Sequence, residues 1–226
     1  EFVIKQAWEE KLKCILVFNK IDRLISEVQL DATEAYYHLG KLLEKVNSLL
    51  GTLIQRDLVK KNIDGEELDR LIEEKEKECY FDPVKGNVVF CSALDCWGFT
   101  LPTFAEILSK KLGFNKEAIV KYLWGEYYFN GKQKKVFTEP PTENSKPMFV
   151  EFILDNLYRL YKIVFVEKDV EKITKTAESL KANILKSELN MLEKDPRPLM
   201  RVKIINIEFD KTMVTYSNNS LLSPNR

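Results

Sequence analysis

The sequence lacks the features that would place the chain in a membrane or on a secretory route. No stretch approaches the roughly 18 consecutive apolar residues of a transmembrane helix. The first residues, EFVIKQAWEEKLKC, carry charges every few positions, unlike a signal peptide. Glu1 stands where an initiator Met would be, which indicates a fragment of a longer protein. We therefore expect a cytoplasmic protein with no membrane partner.

An excess of charge of one sign is also absent. Lys and Arg together number 35, and so do Asp and Glu, so the net charge is zero. Such a chain has no global basic field to attract nucleic acid, and any contact with RNA would need a local patch. We therefore expect no DNA partner.

Metal-binding and redox motifs are missing as well. The four cysteines, at positions 14, 79, 91 and 96, lack zinc or redox spacing, which favours reduced, structural thiols. The single histidine, His38, falls in the middle of a predicted helix and is interpreted as a surface or packing residue. The sequence predicts no metal site within this chain.

What the sequence does contain is the alternation of helices and apolar strands that is typical of an α/β sheet. Residues 1–12 have helical spacing, and the run Cys14–Phe18 predicts a fully buried, parallel strand. A second strand is predicted at Val88–Cys91. Between them, Asp31 and Glu34 predict a capping box that starts a long helix ending at about Leu50.

The remaining segments are predicted mainly as helices. Residues 55–82 are dominated by charges and are interpreted as a solvated insertion that contains one helix. Asn130-Gly131 predicts a tight β-hairpin. Helices are predicted at Leu101–Leu112, Lys116–Leu123, Met148–Val166 and Val170–Leu180.

Both predicted strands end in short polar or small-residue motifs. Asn19-Lys20-Ile21-Asp22 follows the first strand, and Ser92-Ala93-Leu94 follows the second. Because ligands of open parallel sheets bind beyond the carboxyl ends of the strands, the two motifs are expected to share one site. The alternative is an Asp that caps a helix and a Ser-Ala pair in an ordinary turn.

Guanine is the ligand whose chemistry suits these residues. A carboxylate at Asp22 can accept from both the ring N–H and the exocyclic amino group of guanine, whereas adenine would leave it unpaired. Sites built on a substrate's own hydrogen bonds discriminate by factors of order 10⁴. The Asn19 amide can reach N7, and the Lys20 stem can lie across the base. The backbone N–H of Ala93, next to the small Ser92, can donate to O6.

These motifs and their surroundings resemble a known family. QAWEEKLKCILVFNKIDRL, GNVVFCSALDCWGFTLPTFAEI, LWGEYYF and MFVEFILDNLYRLY are similar to successive blocks of translational GTPases of the elongation factor 2 branch, over about residues 1–200. NKIDRL, SALDCWGF, LWGEYYF and the charged insertion are more similar to the elongation-factor-like GTPase of large ribosomal subunit maturation. The resemblance implies that Asn19, Lys20 and Asp22 form the fourth GTP-binding motif and Ser92–Leu94 the fifth.

The resemblance also implies a domain organisation. Residues 1–98 would be the C-terminal part of a P-loop-type G domain, a parallel sheet with flanking helices. Residues 99–198 would be an inserted, mainly helical α+β subdomain. Residues 199–226 depart from the family's closing helix. Either this lineage diverged or the encoded sequence is in error beyond Met200.

A GTPase acting on the ribosome is the function that the resemblance implies. Its ligands would be GTP and GDP, with Mg²⁺ in the full-length protein, and its partners the large ribosomal subunit, the ribosomal stalk and the Shwachman–Bodian–Diamond syndrome protein. It would use GTP to evict an anti-association factor. The sequence contains no G-x-x-x-x-G-K-[ST] loop, so this chain is expected to recognise the base without hydrolysing GTP.

The sequence leaves two alternative functions and one alternative role of a residue open. The chain could come from an elongation factor 2 translocase, or from a non-catalytic ribosome-binding module. Trp97, which follows the second motif, could pack in the core or contact the base directly.

Overall fold

The computed structural model describes residues 1–112, 115–179, 189–190, 192 and 194–200. The chain has a mixed α/β fold, as the sequence predicts, with a three-stranded sheet, a two-stranded hairpin and surrounding helices. Most of the predicted divergent tail, from residue 201 onward, lies outside the described residues.

The three-stranded sheet is formed by β1 (Leu16–Phe18), β2 (Val88–Ser92) and β3 (Trp97–Phe99). β1 and β2 are parallel, with Leu16 opposite Val88, which confirms the predicted parallel pairing. β3 is antiparallel to β2. Parallel pairing brings the carboxyl ends of β1 and β2 to the same edge of the sheet.

The prediction of a fully buried first strand is wrong. β1 is three residues long, and Ile15 and Val17 are 49% and 52% exposed. β1 lies at the edge of the sheet in the order β1-β2-β3. Its side chains therefore alternate, with Phe18 buried and Val17 facing outward.

Four helices surround these strands in the first part of the chain: α1 (Phe2–Glu9), α2 (Ile21–Ser26), α3 (Ala32–Val59) and α4 (Gly65–Cys79). The predicted end of α3 near Leu50 is wrong, because its buried stripe continues through Ile54 and Leu58. α4 packs on α3 and has no buried residue, as expected for the charged insertion. A short 3₁₀ turn (Pro83–Lys85) leads into β2.

The predicted capping box at the start of α3 is confirmed. The Asp31 carboxylate accepts from the backbone N–H of Thr33 at 2.7 Å and of Glu34 at 2.8 Å. The Glu34 carboxylate in turn accepts from the Asp31 N–H at 3.0 Å. Two N–H groups in the first turn of a 28-residue helix, and that of the N-cap residue itself, are thereby satisfied.

We expect Asp31→Ala to lower the free energy of unfolding by about 1 kcal/mol, since two helix N–H groups lose their acceptor. Urea denaturation measures this change. The matched control is Asp64→Ala, because Asp64 occupies the same position before α4 but makes no side-chain capping hydrogen bond. Equal effects of the two substitutions would contradict the role given to the capping box.

From residue 99 onward, which we call the second part of the chain, the described residues are mainly helical, as predicted. Lys168, in a left-handed conformation with φ of 50°, separates the last two long helical stretches. The first of these, which we call the 150–167 helix, comprises Val150–Leu154, α7 (Asp155–Tyr161) and Lys162–Glu167, with wider π-type turns at both ends. The other elements are α5 (Leu101–Leu112), α6 (Lys116–Tyr122), β4 (Tyr128–Asn130), β5 (Lys135–Phe137), α8 (Val170–Ser179) and α9 (Arg197–Leu199).

The predicted hairpin is present, but its turn is longer than a two-residue Asn-Gly turn. Asn130 pairs with Lys135, so residues 131–134 form the connection. The Asn130 side chain accepts from the N–H of Lys132 at 3.0 Å and of Gln133 at 3.2 Å. The asparagine therefore acts as the acceptor that organises a four-residue turn rather than as a central residue of a shorter one.

An aromatic cluster joins the sheet to the helices. The ring of Phe90, a fully buried residue of β2, lies 5.6 Å from Phe18, 5.5 Å from Phe99 and 5.1 Å from Phe149, measured between ring centroids. Trp124 adds a fourth ring at 5.6 Å. The cluster holds β2, and with it the second predicted motif, against elements from both parts of the chain.

Within the described ranges, no helix combines the length and the apolar character that crossing a bilayer requires.

Candidate functional site

The first predicted motif forms a sharp turn between β1 and α2. Lys20 adopts a left-handed conformation with φ of 69°, which is uncommon for a residue other than glycine. The side-chain oxygen of Asn19 accepts from the Lys20 N–H at 2.7 Å and so supports the turn. The chain can therefore reverse after β1 without a glycine, and it directs Asp22 into the first turn of α2.

Asn19 also connects the two predicted motifs. Its Oδ1 accepts from the backbone N–H of Ala93 at 3.0 Å, and the two residues lie 74 positions apart in the sequence. The Cys91 thiol lies 3.6 Å from the same oxygen. Among the described residues, none accepts a hydrogen bond from Asn19 Nδ2, so that this donor is available. The loops that were predicted to share one site are in direct contact.

Asp22 is a buried carboxylate with an unused acceptor. The residue is only 5% exposed, and its Oδ1 has no hydrogen-bond partner within the described part of the chain. Burial of an unpaired carboxylate oxygen is unfavourable, and most buried polar atoms in proteins are paired. The arrangement therefore fits a ligand that donates hydrogen bonds to Asp22.

The Cys91 thiol contacts Asn19 beside the two loops. Burial, and to a smaller extent the Asp22 carboxylate, raise the pKa of Cys91 above its usual value. Cys91 therefore stays a neutral thiol at physiological pH. Cys91 therefore adds no second negative charge next to Asp22.

The second motif divides into a buried and an exposed part. Ser92 is fully buried, and its hydroxyl accepts from the Asp95 N–H at 3.1 Å. Ala93 and Leu94 are exposed, and Leu94 is 45% exposed. Because the Ala93 N–H is already donated to Asn19, a ligand oxygen would share it with the amide or replace the amide.

A buried network below the second loop was missed by the sequence reasoning. The Tyr161 hydroxyl donates to Asp95 Oδ2 at 2.5 Å, and Trp97 Nε1 donates to the Tyr161 oxygen at 2.9 Å. Asp95, Trp97 and Tyr161 are 2%, 3% and 4% exposed. Burial first, and then the hydrogen bond to Asp95, raise the pKa of Tyr161, so its hydroxyl keeps its proton.

The positions of Trp97 and His38 decide two further interpretations of the sequence. Trp97 lies in the core with its ring nitrogen bonded to Tyr161, so the interpretation as a core residue is confirmed and that of direct base contact is wrong. His38 is exposed on α3, away from the core. The position of Asp95 directly after Ser-Ala-Leu could have indicated a role for it in this loop. Nothing in the sequence indicated Tyr161, 66 residues away.

The fold and the candidate site together define an α/β protein with a ligand-binding arrangement at one edge of its sheet. An α/β sheet brings an Asn-Lys-Ile-Asp loop and a Ser-Ala-Leu loop into contact at the carboxyl ends of two parallel strands, beside a buried carboxylate with a free acceptor. This is an arrangement that can hold a ligand presenting adjacent hydrogen-bond donors.

Comparisons with known proteins identify the family. No protein-family model matches the chain. The chain is 40% identical over 200 residues to Ribosome assembly protein 1 of Schizosaccharomyces pombe, which covers 88% of this chain and 19% of that protein. It is 40% identical over 195 residues to Elongation factor-like GTPase 1 of Homo sapiens, covering 79% of this chain and 17% of that protein.

Ribosome assembly protein 1 of Saccharomyces cerevisiae is a further relative, 38% identical over 211 residues, or 88% of this chain and 18% of that protein. These similarities confirm the predicted family. Over most of its own length, the chain belongs with the proteins named Ribosome assembly protein 1 and Elongation factor-like GTPase 1. It spans less than a fifth of the length of these relatives.

Proposed function

We propose that this chain is the guanine-recognising part of a ribosome-associated GTPase that acts in assembly of the large ribosomal subunit. In the proposed organisation, residues 1–98 are the C-terminal part of a G domain and residues 99–198 an inserted subdomain. The names of the relatives support a GTPase of ribosome assembly. The finer step, release of an anti-association factor from the cytoplasmic pre-60S subunit, follows from the family resemblance.

The single observation that carries the proposal is the buried, unpartnered oxygen of Asp22 next to the Asn19–Ala93 contact. Guanine presents its ring N–H and its amino group side by side, so one carboxylate can accept from both. Adenine presents no donor at the ring position and would leave the carboxylate unpaired. The same pocket therefore provides affinity for guanine and a penalty for adenine.

The other motif residues would complete the site around the base. The free Nδ2 of Asn19 can donate to N7. Lys20 is exposed, so its aliphatic stem can cover one face of the base while its ammonium stays in water. The exposed Ala93 and Leu94 would line the O6 side.

Phosphate binding and hydrolysis would depend on other parts of the full-length protein. Among the described residues, no group of three or more His, Cys, Asp or Glu side chains could hold a metal ion. No step of hydrolysis is assigned to these residues. Magnesium and the phosphate loop belong to the proposal for the whole protein only.

The proposed partners are the large ribosomal subunit, the ribosomal stalk and the Shwachman–Bodian–Diamond syndrome protein. They rest on the family resemblance and on the relatives' names, which refer to ribosome assembly. An upstream phosphate loop in the full-length gene product would argue against a non-catalytic ribosome-binding module.

A thermal-shift experiment with the full-length gene product tests base recognition. We expect GDP to raise the melting temperature, since a ligand at 100 times its Kd stabilises the folded state by about 2.7 kcal/mol. ADP at the same concentration is the control and should have no effect. Equal shifts with both nucleotides, or no shift with GDP, would contradict the proposal.

A further inference from the structure

We propose that Tyr161 is a positioning residue for guanine recognition, which holds the Ala93 loop in place through Asp95. The Ala93 loop is defined here as residues 93–96, between β2 and β3. The inference rests on the proposed function and adds to it a residue outside both nucleotide motifs. It also connects the 150–167 helix physically to the nucleotide site.

Side chains hold the Ala93 loop at its start and in its middle. At its start, the Ala93 N–H donates to Asn19 at 3.0 Å. Inside the loop, the Asp95 N–H donates to the Ser92 hydroxyl at 3.1 Å. The Asp95 side chain then points into the core, where Tyr161 donates to it at 2.5 Å. The backbone position of the Ala93 N–H therefore depends on where the Asp95 carboxylate is held.

The direction of each hydrogen bond in this network is fixed by chemistry. An indole N–H can only donate, so the oxygen of Tyr161 must accept from Trp97. The Tyr161 proton is then free to point only at Asp95. Burial raises the pKa of Tyr161, which keeps the proton on the hydroxyl. The network therefore runs from the Trp97 N–H through the Tyr161 hydroxyl to the Asp95 carboxylate.

The two buried carboxylates, Asp22 and Asp95, therefore have different roles. Asp95 Oδ2 is occupied by Tyr161, and Arg197 lies 3.9 Å from Asp95 Oδ1. Asp22 Oδ1 has no partner among the described residues. Asp22 is available to a ligand, whereas Asp95 anchors the loop that carries the Ala93 donor.

Removing the hydroxyl of Tyr161 should displace the Ala93 loop and leave the fold intact. The buried Asp95 Oδ2 would lose the hydrogen bond from Tyr161, and turning toward water would compensate for this loss at the expense of the loop position. The Ala93 N–H would then no longer face a base oxygen. The Asp22 contact would remain, because Asp22 belongs to the other loop.

The experiment compares Tyr161→Phe with wild type in the full-length protein. Isothermal titration with GDP is expected to show a Kd about 5- to 20-fold higher for Tyr161→Phe, the loss of one well-placed hydrogen bond. Hydrogen exchange at the amides of residues 93–95 should accelerate, with or without nucleotide.

The matched control is Tyr36→Phe. Tyr36 is also buried, and its hydroxyl bonds both the N–H and the C=O of Gly125, away from the two loops. We expect this variant to lose stability like Tyr161→Phe but to keep the wild-type Kd for GDP. A similar loss of GDP affinity in both variants would show a general effect of destabilisation and would overturn the inference.

Asp95 provides an independent set of variants. Asp95→Asn keeps an oxygen acceptor for Tyr161 and should bind GDP within about twofold of wild type. Asp95→Ala should match Tyr161→Phe, and the double variant should be no weaker than either single one, because both remove the same interaction. Additive losses would overturn the inference.

The outcomes separate the two proposals. If wild type binds GDP and Tyr161→Phe binds it equally well with unchanged amide exchange, the positioning role is wrong and the proposed function stands. If wild type does not bind GDP, the proposed function fails. Unchanged exchange at residues 93–95 in Tyr161→Phe would then overturn the positioning role as well.

Discussion

Asp22→Asn is expected to weaken GDP binding to the full-length protein by about a hundredfold or more. The carboxylate would lose one of its two accepting oxygens and gain an amide N–H that faces a donor of guanine. An unpaired donor–donor contact in a buried site costs more than the hydrogen bond that is lost. Because Asp22 is 5% exposed, water cannot readily compensate. Isothermal titration with GDP measures the effect.

The same substitution should admit xanthine. Xanthine has a carbonyl where guanine has its amino group, so the new amide can donate to it and accept from the ring N–H. We therefore expect the Kd for xanthosine diphosphate to fall while that for GDP rises. Asp155→Asn is the control, because Asp155 accepts from Lys146 at the surface, far from the loops in sequence. Unchanged GDP affinity in Asp22→Asn would remove the role given to this carboxylate.

The contact between the two loops could be predicted because it depends on local signals. An apolar run followed directly by polar residues marks the end of a strand, and parallel pairing brings two such ends to one edge. Asn19 and Ala93 lie in contact for that reason, although 74 positions separate them. The capping box at Asp31 was equally readable, since it depends on residues within one turn.

Features that depend on distant partners could not be predicted. The bond between Tyr161 and Asp95 joins a helix to a loop, and Tyr161 carries no motif signal that would indicate it. The outward face of β1 follows from its edge position, which the apolar run Cys14–Phe18 does not reveal. The extension of α3 to Val59 crosses a change in composition that looked like a boundary, but Ile54 and Leu58 continue the buried stripe.

The domain division at residues 98–99 stays a prediction. Both parts contribute to one buried cluster, in which Phe90 of the first part contacts Phe99 and Phe149 of the second. The two loops of the candidate site and the packing of the second part of the chain are therefore linked through the same sheet. The aromatic cluster is the place where that link can be tested by stability measurements.

Phe90→Ala is expected to lower the free energy of unfolding by about 3–5 kcal/mol, because it deletes a fully buried ring and leaves a cavity. Four neighbouring rings, contributed by both parts of the chain, cannot all move inward to fill that space. Urea denaturation at equilibrium gives the change. Phe2→Ala is the control, since Phe2 is 78% exposed and should change stability by less than about 0.5 kcal/mol.

The shape of the transition tests whether the cluster links the two parts. If Phe90 stabilises both together, Phe90→Ala should shift a single cooperative transition to lower urea with the same slope. A transition that separates into two steps would mean that the parts unfold independently. In that case, Phe90 would stabilise only the sheet, and neither the aromatic cluster nor the contact between Tyr161 and Asp95 would make the two parts unfold together.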